Sequence, residues 1–131
     1  MNPPLIGLRH AALRVRDVDR SLAFYCEVLG MRLEWRPDKE NAYLTFGSDN
    51  LALHQLTPGH EPGEVQALDH LGFALASPED VDLWASRLQD KGVELTHPPK
   101  THRDGARSFY FRDPDRILIQ FIYHPPISKP G

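Results

Sequence analysis

From His10 to Val15 the residues alternate between two faces. His10, Ala12 and Arg14 fall on one face of a predicted strand, Ala11, Leu13 and Val15 on the other. The pattern then lengthens to helical spacing at Val18, Leu22, Tyr25 and Leu29, behind an Asp17 N-cap and before a Gly30 stop. Short strands are predicted at 32–36, 42–46 and 51–56, the last two joined by the turn Gly47-Ser-Asp-Asn50. The order is β-α-β-β-β.

The order then repeats. Leu68-Asp-His-Leu-Gly-Phe-Ala-Leu75 matches Leu8-Arg-His-Ala-Ala-Leu-Arg-Val15, with histidine third in both. Ser77-Pro-Glu-Asp80 is a helix start, with Ser77 as N-cap. Val81, Trp84, Ala85 and Leu88 form the buried stripe of that helix, and Gly92 ends it. The predicted helices span 17–29 and 78–91. Strands near 93–96, 107–111 and 117–123, with the turn Asp113-Pro-Asp-Arg116, complete the second copy. The expected architecture is α+β: one domain of two βαβββ modules, about 7–57 and 67–124. The linker 58–66 contains Pro58, Gly59, Pro62 and Gly63.

Composition narrows the function without naming it. A net charge of -3 and no block of like charge leave no footprint for nucleic acid or a membrane surface. No apolar run is long enough to span a bilayer, and Met1-Asn-Pro-Pro-Leu-Ile6 lacks the features of a signal peptide, so a cytoplasmic location is expected. Cys26 is the lone cysteine, inside a helical pattern, which suggests a buried structural thiol.

The duplication offers chemistry. The strands Leu51-Ala-Leu-His-Gln55 and Ile117-Leu-Ile-Gln-Phe121 are read as equivalent, which places His10, His54, His70 and Gln120 at related positions. Two readings of that tetrad stand: ligands of a divalent ion, or the lining of a metal-free pocket. His60, His97, His102 and His124 are expected in solvated loops or the tail.

These landmarks, together with Ser21-Leu-Ala-Phe-Tyr-Cys-Glu-Val-Leu-Gly-Met31 and Ser108-Phe-Tyr-Phe-Arg-Asp-Pro-Asp115, resemble the vicinal oxygen chelate superfamily. That group holds glyoxalase I, fosfomycin resistance transferases, extradiol dioxygenases and bleomycin resistance proteins. The resemblance runs from Leu8 to about Tyr123. It implies paired modules in a curved mixed sheet around a central cavity and a divalent metal. His10 and His70 match the ligands of each first strand, and His54 and Gln120 those of each last strand. The metal would be Fe, Ni, Co, Mn or Zn, since ligand type does not choose among them.

The pattern also departs from the family. Many glyoxalase I enzymes have glutamates where this chain has His54 and Gln120, so no metal-bound carboxylate is present to shuttle a proton. His54, swung off the metal, is the candidate general base. Lys100, Ser108 and Tyr110 fall in step with a phosphonate-contacting region of fosfomycin resistance proteins. Ala12, however, stands where those enzymes have threonine, and Gln120 where they have glutamate. Tyr110 and Ser108 share a strand face by alternation, and Tyr110 is a second catalytic candidate. Arg14 shares the face of His10 and matches an arginine that meets an anionic substrate in glyoxalase I. The leading expectation is a metal-dependent lyase, isomerase or dioxygenase acting on a small oxygen-rich molecule. The alternative is a metal-free binding protein like those for bleomycin, with aromatic walls from Trp35, Phe46, Trp84, Phe109 and Tyr110. A homodimer is expected in either case.

Overall fold

A computed structural model describes residues 7–57, 59 and 68–129 of the chain. Apart from Gly59, the predicted linker lies outside the described residues, as does His60. The chain divides into two compact units, Met1–His60 and Glu61–Gly131.

In the first unit, β1 (His10–Val15) leads into α1 (Val18–Leu22) and is followed by β2 (Arg32–Asp38), β3 (Asn41–Thr45) and β4 (Asn50–Gln55). The sheet order is β1-β4-β3-β2, with β1 and β4 parallel and the other pairs antiparallel. In the second unit, β5 (Leu71–Ala74), α2 (Pro78–Asp90), β6 (Leu95–Thr101), β7 (Arg107–Arg112) and β8 (Leu118–Tyr123) repeat that topology as β5-β8-β7-β6. Both sheets are therefore mixed, and the β-α-β-β-β order predicted for each copy is present.

The caps are where the sequence put them. Asp17 Oδ1 accepts from the Arg20 N–H at 3.2 Å, and Ser77 Oγ from the Asp80 N–H at 3.2 Å. Gln55 adds a tie that pattern alone does not show. Its Oε1 accepts the Val18 N–H at 3.2 Å while its amide nitrogen donates to the Arg16 carbonyl, joining β4 to the helix start. At the far end of α2, Gly92 has φ +83° and the Val93 N–H returns to the Leu88 carbonyl at 2.9 Å, a glycine-terminated stop.

Four predicted features differ. The first helix is α-helical only to Leu22 and continues from Ala23 to Val28 as a π-helix, so one wide turn carries Tyr25 into the core. Strand β5 begins at Leu71, which leaves His70 just ahead of it. Strand β6 runs Leu95–Thr101 instead of 93–96: as an edge strand with two register irregularities, it tolerates Pro98 and Pro99. Cys26 and Trp84 are half-buried, the latter edge-on to Phe121 at 5.3 Å.

Each sheet buries one face under its helix. In the first unit Leu13, Val15, Leu44, Leu51 and Leu53 meet Val18, Tyr25 and Leu29 in the core. In the second, Phe109, Phe111 and Phe121 form an aromatic cluster with centroids 5.0–5.9 Å apart, beside Val81, Ala85 and Leu88. Each such side chain contributes about 1.5–3 kcal/mol by leaving water. Arg107 clamps β7 to α2 through both oxygens of Asp82, at 2.7 and 3.1 Å, and that pairing pushes its guanidinium pKa up.

The turn before β8 is held by a buried carboxylate. Asp113 Oδ1 accepts the N–H groups of Asp115 and Ile117 at 2.8 and 2.9 Å, and Arg116 sits at φ +70°. Asp113→Ala leaves both donors without this acceptor, and a loss of about 1–3 kcal/mol is expected. Denaturant unfolding checks this: the midpoint should fall with the m-value unchanged.

Candidate functional site

Register decides which side chains on the face away from each helix meet. In the first unit His10 pairs with Asn50, Ala12 with Ala52, and Arg14 with His54; Ala52 pairs in turn with Tyr43, and His54 with Asn41. In the second, Gly72 pairs with Gln120, and Gln120 with Tyr110. Counting from the matching histidines, Ala12 corresponds to Gly72, so Ala52, not His54, is the counterpart of Gln120. Tyr43 is likewise the counterpart of Tyr110. The expected equivalence of His54 and Gln120 is therefore corrected by two residues. A strand shows one face every second residue, so a two-residue slip keeps the face and was invisible in the pattern.

His10 and His54 are consequently four positions apart along the paired strands, about 13 Å at 3.3 Å per residue. Each ring is also tied to its own asparagine: His10 Nδ1 lies 2.7 Å from Asn50 Oδ1, and His54 Nδ1 lies 2.6 Å from Asn41 Oδ1. Within this unit the two do not reach one ion. Arg14 is exposed and stands beside His54 rather than beside His10. Tyr43 lies edge-on to the His54 ring at 5.9 Å and carries Trp35 stacked on it at 5.2 Å and 18°.

In the second unit Tyr110 is the hub. Its hydroxyl accepts the Gln120 Nε2–H at 2.9 Å, which directs the amide oxygen to the side of Gly72, where no Cβ intervenes. His70 and His97 both lie edge-on to the Tyr110 ring, at 5.5 and 5.0 Å. His70 Nδ1 is 2.7 Å from Asp69 Oδ2. Among the described residues no three His, Cys, Asp or Glu side chains gather to hold a metal ion.

His102 lies exposed in the loop after β6 and His124 half-buried in the tail, as expected, while His97, also exposed, is on a strand instead of a loop. The His97 ring lies on β6 edge-on to Tyr110. His102 Nε2 is 2.9 Å from Ser108 Oγ. His124 has a buried Nδ1 with no hydrogen-bond partner, 3.9 Å from Asp104. The Asp104 carboxyl is held below its usual range, chiefly by the Ala106 N–H, with help from His124 and His102. Burial, and Glu27 beside it, push the Cys26 thiol up, away from nucleophilic use. Lys100 is exposed and pairs in register with Ser108. Asn41 and Asn50 were missed altogether. Their only sequence signal is alternation, which puts them on the histidine face.

A family model described as glyoxalase, bleomycin resistance protein and dioxygenase superfamily matches residues 7–121. The chain belongs to this superfamily. A probable lactoylglutathione lyase from Synechocystis is 29% identical over 122 residues, 88% of this chain and 93% of that protein. The glutathione transferase FosA of Serratia marcescens is 33% identical over 112 residues, 85% and 76% of the two chains. The crystal structure of a lactoylglutathione lyase from Agrobacterium tumefaciens has the same fold, with a TM-score of 0.78 at 19% identity over 97% of this chain and all of that one. The fold is therefore glyoxalase-like, and the relatives carry the names of enzymes with different reactions.

Ser108 is buried and its hydroxyl is engaged by His102. Ser108→Ala should therefore lower stability by about 1 kcal/mol, read as a shift of the denaturation midpoint.

Proposed function

We propose that this chain is a cytoplasmic, homodimeric, metal-dependent enzyme of the superfamily, acting on a small anionic oxygen-rich molecule. Its divalent ion, Fe, Ni, Co, Mn or Zn, would be held by His10, His70 and Gln120. One observation carries the reading. Both histidines engage an acceptor through Nδ1, Asn50 Oδ1 for His10 and the Asp69 carboxylate for His70, which leaves each Nε2 lone pair free. The Gln120 amide nitrogen is already engaged by Tyr110, so its oxygen is the free donor atom. This donor set fits a divalent ion of borderline softness.

Such ligands are neutral and leave the ion its full charge, which favours an anionic or chelating substrate. When bound, the ion supplies Lewis acidity to a carbonyl, enolate or catecholate oxygen. Arg14 meets the substrate's anionic end, His54 takes the proton that a metal-bound glutamate takes elsewhere, and Tyr110 fixes the Gln120 amide. Lys100 adds positive charge at the rim, while Ser108 contributes through His102. No helix among the described residues is long and apolar enough to cross a membrane. Sedimentation at micromolar concentration should give a dimer, and a monomer would count against that part of the proposal.

A second reading, a metal-free binding protein, is favoured by one feature: Trp35 is 60% exposed and stacked on Tyr43, a ready aromatic platform. Elemental analysis of protein purified without chelator separates the two. His70→Ala is expected to abolish stoichiometric metal binding, and Gln120→Glu to tighten it by placing an anionic oxygen on the ion. If neither substitution changes affinity, the ligand assignment is wrong and the metal-free reading gains.

A further inference from the structure

Strand β8 ends at Tyr123, whose register partner is Arg107 at the start of β7, and Arg107 pairs in turn with Thr101 at the end of β6. Beyond that last row two excursions of the chain meet: the hairpin 102–106 between β6 and β7, and the tail turn 124–128. The hairpin is closed by the His102 N–H on the Ala106 carbonyl at 2.7 Å and the Gly105 N–H on the His102 carbonyl at 3.1 Å. Asp104 Oδ1 adds an acceptor for the Ala106 N–H at 3.0 Å. The tail turn closes on His124. Its carbonyl accepts the Ile127 and Ser128 N–H groups at 2.9 Å, and its own N–H donates to Ser128 Oγ at 2.8 Å. Each excursion is thus ordered by its own hydrogen bonds. Between them His124 Nδ1 faces Asp104 Oδ2 at 3.9 Å. That nitrogen is buried and has no hydrogen-bond partner among the described residues.

An orphaned buried nitrogen beside a carboxylate is a site waiting for a proton. A neutral imidazole carries one proton, and it either sets a lone pair against the carboxylate or donates there without a counter-charge. A cationic imidazole donates from both nitrogens and adds charge attraction, which draws such pairs to about 2.7–2.9 Å. The gap to close is therefore about 1 Å, a small step for an exposed carboxylate on a short hairpin. We propose that His124 and Asp104 form an acid-closed latch, in which protonation of His124 ties the tail turn to the β6–β7 hairpin. The tie needs the proton, so it is present on the acid side of the imidazole titration and lost as pH rises through it. It also needs the carboxylate ionised. Asp104 is held below its usual range, chiefly by the Ala106 N–H, with His124 and His102 helping, so both charges coexist in weak acid. The neighbouring groups are otherwise placed. Arg107 is committed to Asp82 and Thr101, His102 Nε2 to Ser108 Oγ, and Arg103 and Lys129 are exposed; Tyr123 closes β8 opposite Arg107. The hairpin carries His102 to the buried Ser108 hydroxyl, so closing the latch steadies that contact as well. Every group involved lies in the second unit, and none depends on a bound metal.

The test uses the full chain and reads hydrogen exchange of the Ala106, Ile127 and Ser128 amides, as protection relative to an unstructured chain at the same pH. From about pH 8 to about pH 5, protection at these amides should rise about two- to fivefold, the yield of a partly exposed ion pair. The Phe109 amide, inside β7, should not follow. An equal rise at Phe109 reports stabilisation of the whole unit and overturns the latch, as does a flat profile at all four. His124→Gln and Asp104→Asn should each abolish the rise. Asp104→Asn keeps an oxygen for the Ala106 N–H, so its hairpin is expected to fold, and amide NMR spectra verify this. His102→Gln should keep the rise; its loss there, with His124→Gln behaving as wild type, assigns the effect to His102 and overturns the proposal. A further readout needs no variant. The Asp104 carboxylate 13C resonance should move as the His124 ring titrates, and a resonance that ignores that titration rules the latch out.

Discussion

Everything on the candidate faces depends on one constraint, the parallel pairing of each unit's first and last strands. The helix after β1 and the two strands between bring β4 back beside it, and β5 and β8 are joined in the same way. Once that register is set, each position on one strand has a fixed neighbour on the next. Gly72, Gln120 and Tyr110 become one row, and Arg14, His54 and Asn41 another. The helix side of each sheet enforces the register: sliding β4 by one residue would turn Leu51 and Leu53 out of the core.

Most of the fold was legible in the chain. Asp17 and Ser77 as caps, Gly92 as a stop, and the two apolar stripes all carry local physical meanings that survive into the structure. Less visible were features set by neighbours in space. The prolines of β6 look like a loop until the strand is known to be an edge. The wide turn at Ala23–Val28 has no residue that announces it. At the candidate site the matching placement of His10, at the start of β1, and His70, just before β5, was legible from the repeat, whereas the partner of Gln120 was not. Alternation distinguishes odd from even positions and cannot distinguish 52 from 54; only cross-strand pairing does. The asparagines beside the histidines were hidden for the same reason, since their value lies in which residue stands opposite.

The duplication has been spent unequally. Rows that match between the units hold different chemistry: Ala52 and Tyr43 in one, Gln120 and Tyr110 in the other. The next row is Arg14, His54 and Asn41 in the first unit, against Ala74, Ile122 and Ser108 in the second. Polar relays thus gather on the first unit, while Tyr110 organises the second. A repeated scaffold gives two copies of each position, and one copy is free to diverge while the other keeps the geometry.

The two prolines of β6 carry a consequence for what the edge of the second sheet can pair with. A sheet edge with a continuous row of free N–H groups invites a strand from another molecule, and growth by that route has no natural end. Pro98 and Pro99 leave β6 short of two N–H groups, one for each side of an edge strand since neighbouring N–H groups alternate, and the register irregularities beside them break its straight line. On that side the sheet resists extension by a strand from another molecule.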